Sequence, residues 1–301
     1  MWLCGAMRDT ANQPLDIPPA WNKIELGDAR GTLMVIGATD TGKSTFARYL
    51  YRRLVAEPGR QVAYLDGDPG QSTLGPPTTM TLALGTSGGV SFPPQGQTRR
   101  RFVQGTSPRG HMLPMVVGAA RLAQASREAG ADMLIYDTSG FVGAADGGAH
   151  LKLAKIELLQ PSVVVAIQRD QELESVLTPL RHSRRPRLID LRPSPAAQRR
   201  DVLARQTHRA AQFAHYFSPA HSLVVDWEWL AVFPAPHFSF NQLVALEDAE
   251  GFALAVGIVE LADLHARRVT LRTPLASLDG VQALRLGDVT LDPKTFRDQP
   301  L

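Results

Sequence analysis

Strand-like apolar runs recur along this chain at residues 33–36, 61–66, 133–137, 163–168 and 187–191. Between or after them, apolar positions take a helical spacing at about 43–56, 115–129, 148–159, 171–181 and 196–216. Apolar strands alternating with helices predict a parallel sheet covered on both faces, a three-layer α/β/α domain over about 21–220. The rhythm changes after residue 220. Residues 241–259 read as two strands joined by an acidic turn ending in Gly251, and 269–273 and 283–291 alternate with period two. Residues 221–301 are therefore expected to form a smaller β-rich domain, for packing or partner docking, with no catalytic constellation of their own. Residues 1–20 lack periodicity and read as a flexible leader. The Gly, Pro and Ser content of 86–111 predicts a long loop, of a length that often carries function.

The chemistry starts where the first apolar run meets Gly37-Ala38-Thr39-Asp40-Thr41-Gly42-Lys43-Ser44-Thr45, which opens a helical pattern. Strand, glycine-rich turn and helix are the context a phosphate-binding loop requires, so the domain is expected to be a P-loop NTPase. Backbone N–H groups of such a loop point at one centre, and the helix N-terminus beneath adds partial positive charge. Lys43 reaches the β- and γ-phosphates, and the Ser44 hydroxyl is placed to hold Mg²⁺.

Composition narrows the setting. The single cysteine, Cys4, excludes an internal disulfide and a cysteine zinc site and suits a reducing compartment. No apolar run is long enough to span a membrane and no signal peptide is legible, so a cytoplasmic protein without membrane association is expected. The net charge is +3, yet residues 181–210 hold nine arginines against two aspartates, leaving −4 for the rest. Such a concentration fits either a polyanionic partner or a solvated helix face.

Three further segments bear on the site. Tyr64-Leu65-Asp66-Gly67-Asp68-Pro69-Gly70-Gln71-Ser72 sets two acids at the end of the second strand, beside Ser44. One carboxylate can bind Mg²⁺ and the other can accept a proton from an attacking hydroxyl. Asp137-Thr138-Ser139-Gly140-Phe141 follows four apolar residues, as a metal-side carboxylate does; it also fits the D-x-x-G element of GTPase switches. Phe141 is either core or a stacking platform for a base. In the predicted helix at 196–216, Arg200, Arg205 and Arg209 are expected on roughly one face, where arginines can stabilise a transferring phosphoryl group.

Taken in order, these segments resemble the polynucleotide 5′-hydroxyl kinases, the family that includes the kinase of the pre-mRNA 3′-end cleavage factor and the nucleolar kinase of pre-rRNA processing. Residues 37–45 resemble its phosphate loop, and Asp66-Gly67-Asp68-Pro69-Gly70-Gln71 its D-x-D-x-G-Q element. Gln104-Gly105-Thr106-Ser107-Pro108-Arg109-Gly110-His111 is similar to the clasp folded over the nucleotide. Asp137–Phe141 resembles [DN]-T-x-G-W with Phe for Trp, and 200–217 the lid helix with its paired arginines. The large N-terminal domain of eukaryotic members has no counterpart in the roughly 30 residues before the loop, so the chain looks like the short prokaryotic members.

The resemblance implies transfer of the γ-phosphoryl of ATP (other triphosphates being compatible) to the 5′-hydroxyl of a nucleic acid, RNA in preference to DNA. It implies catalytic roles for Asp68, Lys43, Arg200 and Arg205, with Asp68 as base, interchangeable with Asp66. Nucleotide contacts fall to residues 37–45, Gln71 and Ser107; substrate contacts to Phe141, Asp68 and Arg209; and Mg²⁺ to Ser44 and Asp66, with Asp137 a further candidate. The competing readings are a GTP-hydrolysing switch and a silent nucleotide-dependent scaffold. The switch lacks an N-K-x-D tetrapeptide, the nearest approach being Asn22-Lys23-Ile24-Glu25. The scaffold needs neither the acids nor the arginines.

Overall fold

The computed structural model describes residues 17–85, 91–183 and 186–301. Cys4, most of the expected leader, part of the 86–111 loop, Arg184 and Arg185 lie outside the described residues. In chain order the elements are α1 (Pro19–Asn22), β1 (Gly31–Gly37), α2 (Lys43–Val55), β2 (Val62–Gly67), β3 (Thr79–Leu84), β4 (Thr98–Phe102), α3 (Met112–Glu128), β5 (Met133–Thr138), α4 (Gly148–Leu159), β6 (Val163–Ile167), α5 (Glu174–Arg181), β7 (Arg187–Leu191) and α6 (Val202–Tyr216). The remaining strands are β8 (His221–Asp226), β9 (Ala231–Phe233), β10 (Gln242–Glu247), β11 (Ala253–Asp263), β12 (Arg268–Thr273), β13 (Ala283–Leu291) and β14 (Asp298–Pro300).

The first sheet has the order β4-β3-β2-β5-β1-β6-β7. Its β2-β5-β1-β6-β7 portion is parallel, and β1 and β6 are apolar and buried on both faces, as interior strands of such sheets must be. One face packs on residues of α3, α4 and α5, and the other on α2 with Trp21. These are the three layers read from the sequence. The correction is at one edge, where β3 and β4 run antiparallel. β4 (Thr-Arg-Arg-Arg-Phe) lies inside the segment expected to be loop. Its cationic side chains hide the strand from any hydrophobic pattern, and cross-strand pairing with β3 holds it.

The second sheet, β14-β13-β10-β11-β12-β8 with β9 beside β13, is antiparallel apart from the β9–β13 pair. The acidic turn falls between β10 and β11 as read. Two apolar clusters flank this sheet, and one of them includes Phe102 of β4 and Phe213 and Phe217 of α6 and its C-cap.

A second correction concerns α6, which begins at Val202 rather than at 196. Asp201 caps it, its carboxylate accepting a hydrogen bond from the Ala204 amide at 2.6 Å. Arg200 therefore precedes the helix and does not share its face with Arg205 and Arg209. The distal half of α6 is anchored in the core beneath the second sheet, where Phe213 is fully buried. Phe213→Ala should cost about 3–5 kcal/mol of unfolding free energy. Urea denaturation measures it, and a loss under about 1 kcal/mol would contradict this anchoring.

Candidate functional site

Parallel strands aim their carboxyl ends at one edge, and β1, β2 and β5 meet there. Beyond β1 the chain turns through Asp40 (φ +57) and Gly42 (φ +88) into α2. Gly42 is the N-cap and supplies no side-chain acceptor, so the first amides of α2 are left for an outside one, as an anion site needs. Lys43 is buried; its Nζ donates to the Ala38 carbonyl at 2.6 Å, and the Thr41 hydroxyl donates to the same oxygen at 3.0 Å. Burial lowers the Lys43 pKa, while Asp137, Asp68 and Asp40 oppose that shift. The turn after β5 presses on this loop. A Cβ on Gly140 would lie 2.7 Å from the Thr39 amide nitrogen, so no side chain fits there.

The β2–β5 register sets Asp66 beside Asp137, and the two carboxylates are treated differently. Asp66 Oδ2 accepts from the Ser72 hydroxyl at 3.1 Å, the Thr73 amide at 2.5 Å, the Thr73 hydroxyl at 3.1 Å and the Leu74 amide at 3.0 Å. Its Oδ1 accepts from the Asp68 amide at 3.3 Å. Burial raises its pKa against those donors. Asp137 Oδ2 accepts from Tyr64 Oη at 3.2 Å, the Ser44 hydroxyl also lies within reach of this carboxylate, and Oδ1 is buried without a close hydrogen-bond partner among the described residues. Burial, and then Asp66, push the Asp137 pKa up to about 6, with Ser44 and Lys43 pulling the other way. Asp68 Oδ1 caps the next turn, accepting from the Gly70 and Gln71 amides at 3.0 and 3.1 Å. Its Oδ2 is engaged by none of the described residues.

The arginines approach the phosphate loop. Asp40 Oδ2 accepts from the Arg200 amide at 3.0 Å and from the Arg205 guanidinium at 2.7 Å, and Oδ1 accepts from Arg200 Nε at 3.2 Å. Burial alone would raise the Asp40 pKa, but these donors outweigh it and the net shift is downward. Arg209 instead donates from Nε to Asp298 Oδ1 at 2.9 Å. Gln71 Nε2 donates to the Gly70 carbonyl at 2.6 Å, and its buried Oε1 is unpartnered. The Ser107 hydroxyl accepts from the Arg109 amide at 3.2 Å. Phe141 is half-buried against the core cluster that includes Tyr136 and Met115.

Three contributors escaped the sequence reading. Arg169, just beyond β6, donates to the carbonyls of Thr39 and Asp40 and so clamps the phosphate loop. Lys152 and Lys155 of α4 are fully buried. Lys152 donates to the Ser139 carbonyl at 2.6 Å and Lys155 to Tyr136 Oη at 2.6 Å. Their spacing of three on a helix that packs on the sheet was the available signal. Among the described residues no helix is long and apolar enough to cross a membrane.

Residues 37–219 match the sequence model of the family described as mRNA cleavage and polyadenylation factor CLP1 P-loop. The polyribonucleotide 5′-hydroxyl-kinase of Thermococcus kodakarensis is 28% identical, over 86% of this chain and 87% of that protein. The enzyme of the same name from Pyrococcus furiosus is 26% identical, over 85% and 86%. Among solved structures, wild-type Clp1p in complex with Pcf11p superposes with a TM-score of 0.65 at 12% identity, covering 90% of this chain and 77% of that one. At that identity the likeness speaks for the fold alone.

The buried lysines generate a pH prediction. Burial drives the Lys155 pKa down to about 7, well below the 10.5 of the unfolded chain. Below pH 7 both states hold the proton and the burial penalty is complete. Between about 7 and 10.5 the unfolded chain binds a proton that the native state has released, so native stability gains as pH rises. Lys155→Met should therefore stabilise the protein at pH 6, by on the order of 3 kcal/mol, and by progressively less toward pH 9.5. Urea melts at the two pH values read the difference; a pH-independent gap would refute the buried charge.

Proposed function

The chain belongs to the CLP1 P-loop family, and from that premise we propose that it is an ATP-dependent polynucleotide kinase acting on the 5′-hydroxyl of RNA. The observation that carries the reading is the pairing of Arg200 and Arg205 with Asp40 on the phosphate loop, in a site that also holds a carboxylate, Asp68, with one oxygen unengaged. A phosphoryl group held by the loop then has cations and a proton acceptor in the same site.

In this mechanism the loop amides of 37–45 and Lys43 hold the β- and γ-phosphates, Lys43 exchanging the Ala38 carbonyl for phosphate oxygen. Asp68 Oδ2 takes the proton of the 5′-hydroxyl as its oxygen forms a bond to the γ-phosphorus. The bond to the β-phosphate bridging oxygen breaks, and ADP leaves. Arg200 and Arg205 pass from Asp40 to the transferring group and stabilise its charge. Gln71 and Ser107 order the phosphate and clasp side, and Phe141 stacks on the terminal nucleoside.

The donor set fits a magnesium ion. Ser44 and Asp137, whose orphaned buried Oδ1 wants a cation, would hold it, and it would neutralise charge between the β- and γ-phosphates. Asp66 is the weaker candidate, since both of its oxygens are already committed to the 68–74 turn. Arg209, paired with Asp298, is assigned to the lid's placement rather than to substrate.

Incubation with γ-labelled ATP and a 5′-hydroxyl oligoribonucleotide should label the RNA; free phosphate alone would overturn the reading. Asp68→Asn should lower transfer by about 10²–10⁴-fold, with ATP affinity, read by titration calorimetry, changed less than about threefold. Asp40→Asn should reduce kcat by roughly tenfold with a smaller effect on ATP affinity, because it removes the lid's landing point rather than a phosphate contact. A loss confined to affinity would count against that role.

A further inference from the structure

The β13–β14 hairpin of the second sheet reaches both segments that border the mouth of the site. On β13, a Cβ at Gly287 would lie 3.0 Å from the Gln104 carbonyl oxygen and 2.8 Å from the Phe102 ring, so the two backbones approach as only glycine allows. The Asp288 amide donates to that carbonyl at 2.9 Å, and Gln104 Nε2 donates to the Leu286 carbonyl at 3.2 Å. His111, at the far end of the clasp, places Nε2 2.9 Å from Asp288 Oδ2. The root and the end of the 104–111 segment are thus stitched to one strand.

Asp298, the first residue of β14, makes a different connection. Its Oδ2 accepts from the Thr106 hydroxyl of the clasp at 3.2 Å, and its Oδ1 accepts from Arg209 Nε of α6 at 2.9 Å. The Asp298 side chain is 9% exposed and that of Arg209 18%, so water screens this pair little. Among the described residues, Asp298 alone is hydrogen-bonded to both the clasp segment and α6. Arg209 follows Arg205 by four positions, on the same helical face. The proximal part of α6 is therefore pinned at two points along that face, by Asp40 through Arg205 and by Asp298 through Arg209.

We propose that Asp298 is a positioning residue that couples the clasp to the lid, so that displacement of one is felt by the other. The coupling follows from the contacts; its consequence for catalysis rests on the kinase reading above. Holding Arg209 fixes the roll of α6, and with it the direction in which Arg205 points. Holding Thr106 fixes the clasp to the same carboxylate. The second sheet is on this account part of the catalytic frame.

Hydrogen exchange, followed by mass spectrometry on the full chain without nucleotide, tests the coupling directly. Asp298→Ala should speed exchange by about tenfold in both 104–111 and 202–209. Arg209→Ala, a change made only in the lid, should also speed exchange at 104–111, and combining it with Asp298→Ala should add nothing there. Unchanged exchange at 104–111 in Arg209→Ala overturns the proposal. Asp298→Asn, which keeps the size and one acceptor, serves if the alanine variant fails to fold, and thermal melts verify that each protein is native. In the labelling assay, Asp298→Asn should lose about tenfold in kcat with the KM for the oligonucleotide within about threefold; a kcat within twofold of wild type also overturns it. Wild-type protein that labels no RNA would sink the kinase reading while leaving the exchange arms decisive for the coupling.

Discussion

Several ionisable groups are buried where the strands of a parallel sheet end, and much of the architecture follows from making that tolerable. Asp66 and Asp137 stand in register on neighbouring strands, with Lys43 at the start of α2 and Lys152 and Lys155 behind them. Charge removed from water must be met by donors or by opposite charge. The two carboxylates divide what is available unequally. Asp66 takes the amides and hydroxyls of Ser72, Thr73 and Leu74 and so folds the turn that presents Asp68. Asp137 has the tyrosine hydroxyl and the nearby Ser44 hydroxyl, an elevated pKa and a buried oxygen without a close partner among the described residues. Two acids on neighbouring strands thereby end up in different states, one building the turn beside it and the other buried with few donors.

How much of this was legible depended on whether the determinants were contiguous. The phosphate loop, the acids after β2 and the Asp137 turn each lie within a few residues, because backbone amides and side chains must converge on one ligand there. The parallel portion of the first sheet was legible for the same kind of reason, since strands buried on both faces are apolar throughout. β4 was not, because three consecutive arginines erase any period. The start of α6 was misjudged although Asp201, a good N-cap residue, marked it. Arg169 and Asp298 were beyond reach: each is an ordinary charged residue whose meaning comes from a partner more than 80 positions away. Asp40 was visible only as part of a motif, and its carboxylate gains a role from the two arginines it holds.

Helix α6 is held in two different ways along its length. Its distal half is a core element, with Phe213 and Phe217 packed beneath the second sheet and Tyr216 Oη accepting from the Val256 amide at 2.9 Å. Its proximal half is mostly polar, capped by Asp201, and tied to the phosphate loop and to β14 by ion pairs. Rigid support thus lies next to an end whose bonds a phosphate can compete for. The division is written in the helix itself, aromatic residues clustering in its last turns and arginines in its first.

The contacts that seat the clasp join residues very far apart in the chain: Gln104 to Leu286 spans 182 positions and Thr106 to Asp298 spans 192. Such long-range closures contribute little to early folding, because chain entropy opposes them until both sheets exist. They are also few and polar, and sever nothing in either apolar core when they part. The rim of the site is therefore held by a few polar contacts, which is the kind of region that opens locally without global unfolding. In this topology the entrance is closed by contacts of the highest sequence separation, the kind a chain completes late and can release without disturbing its cores.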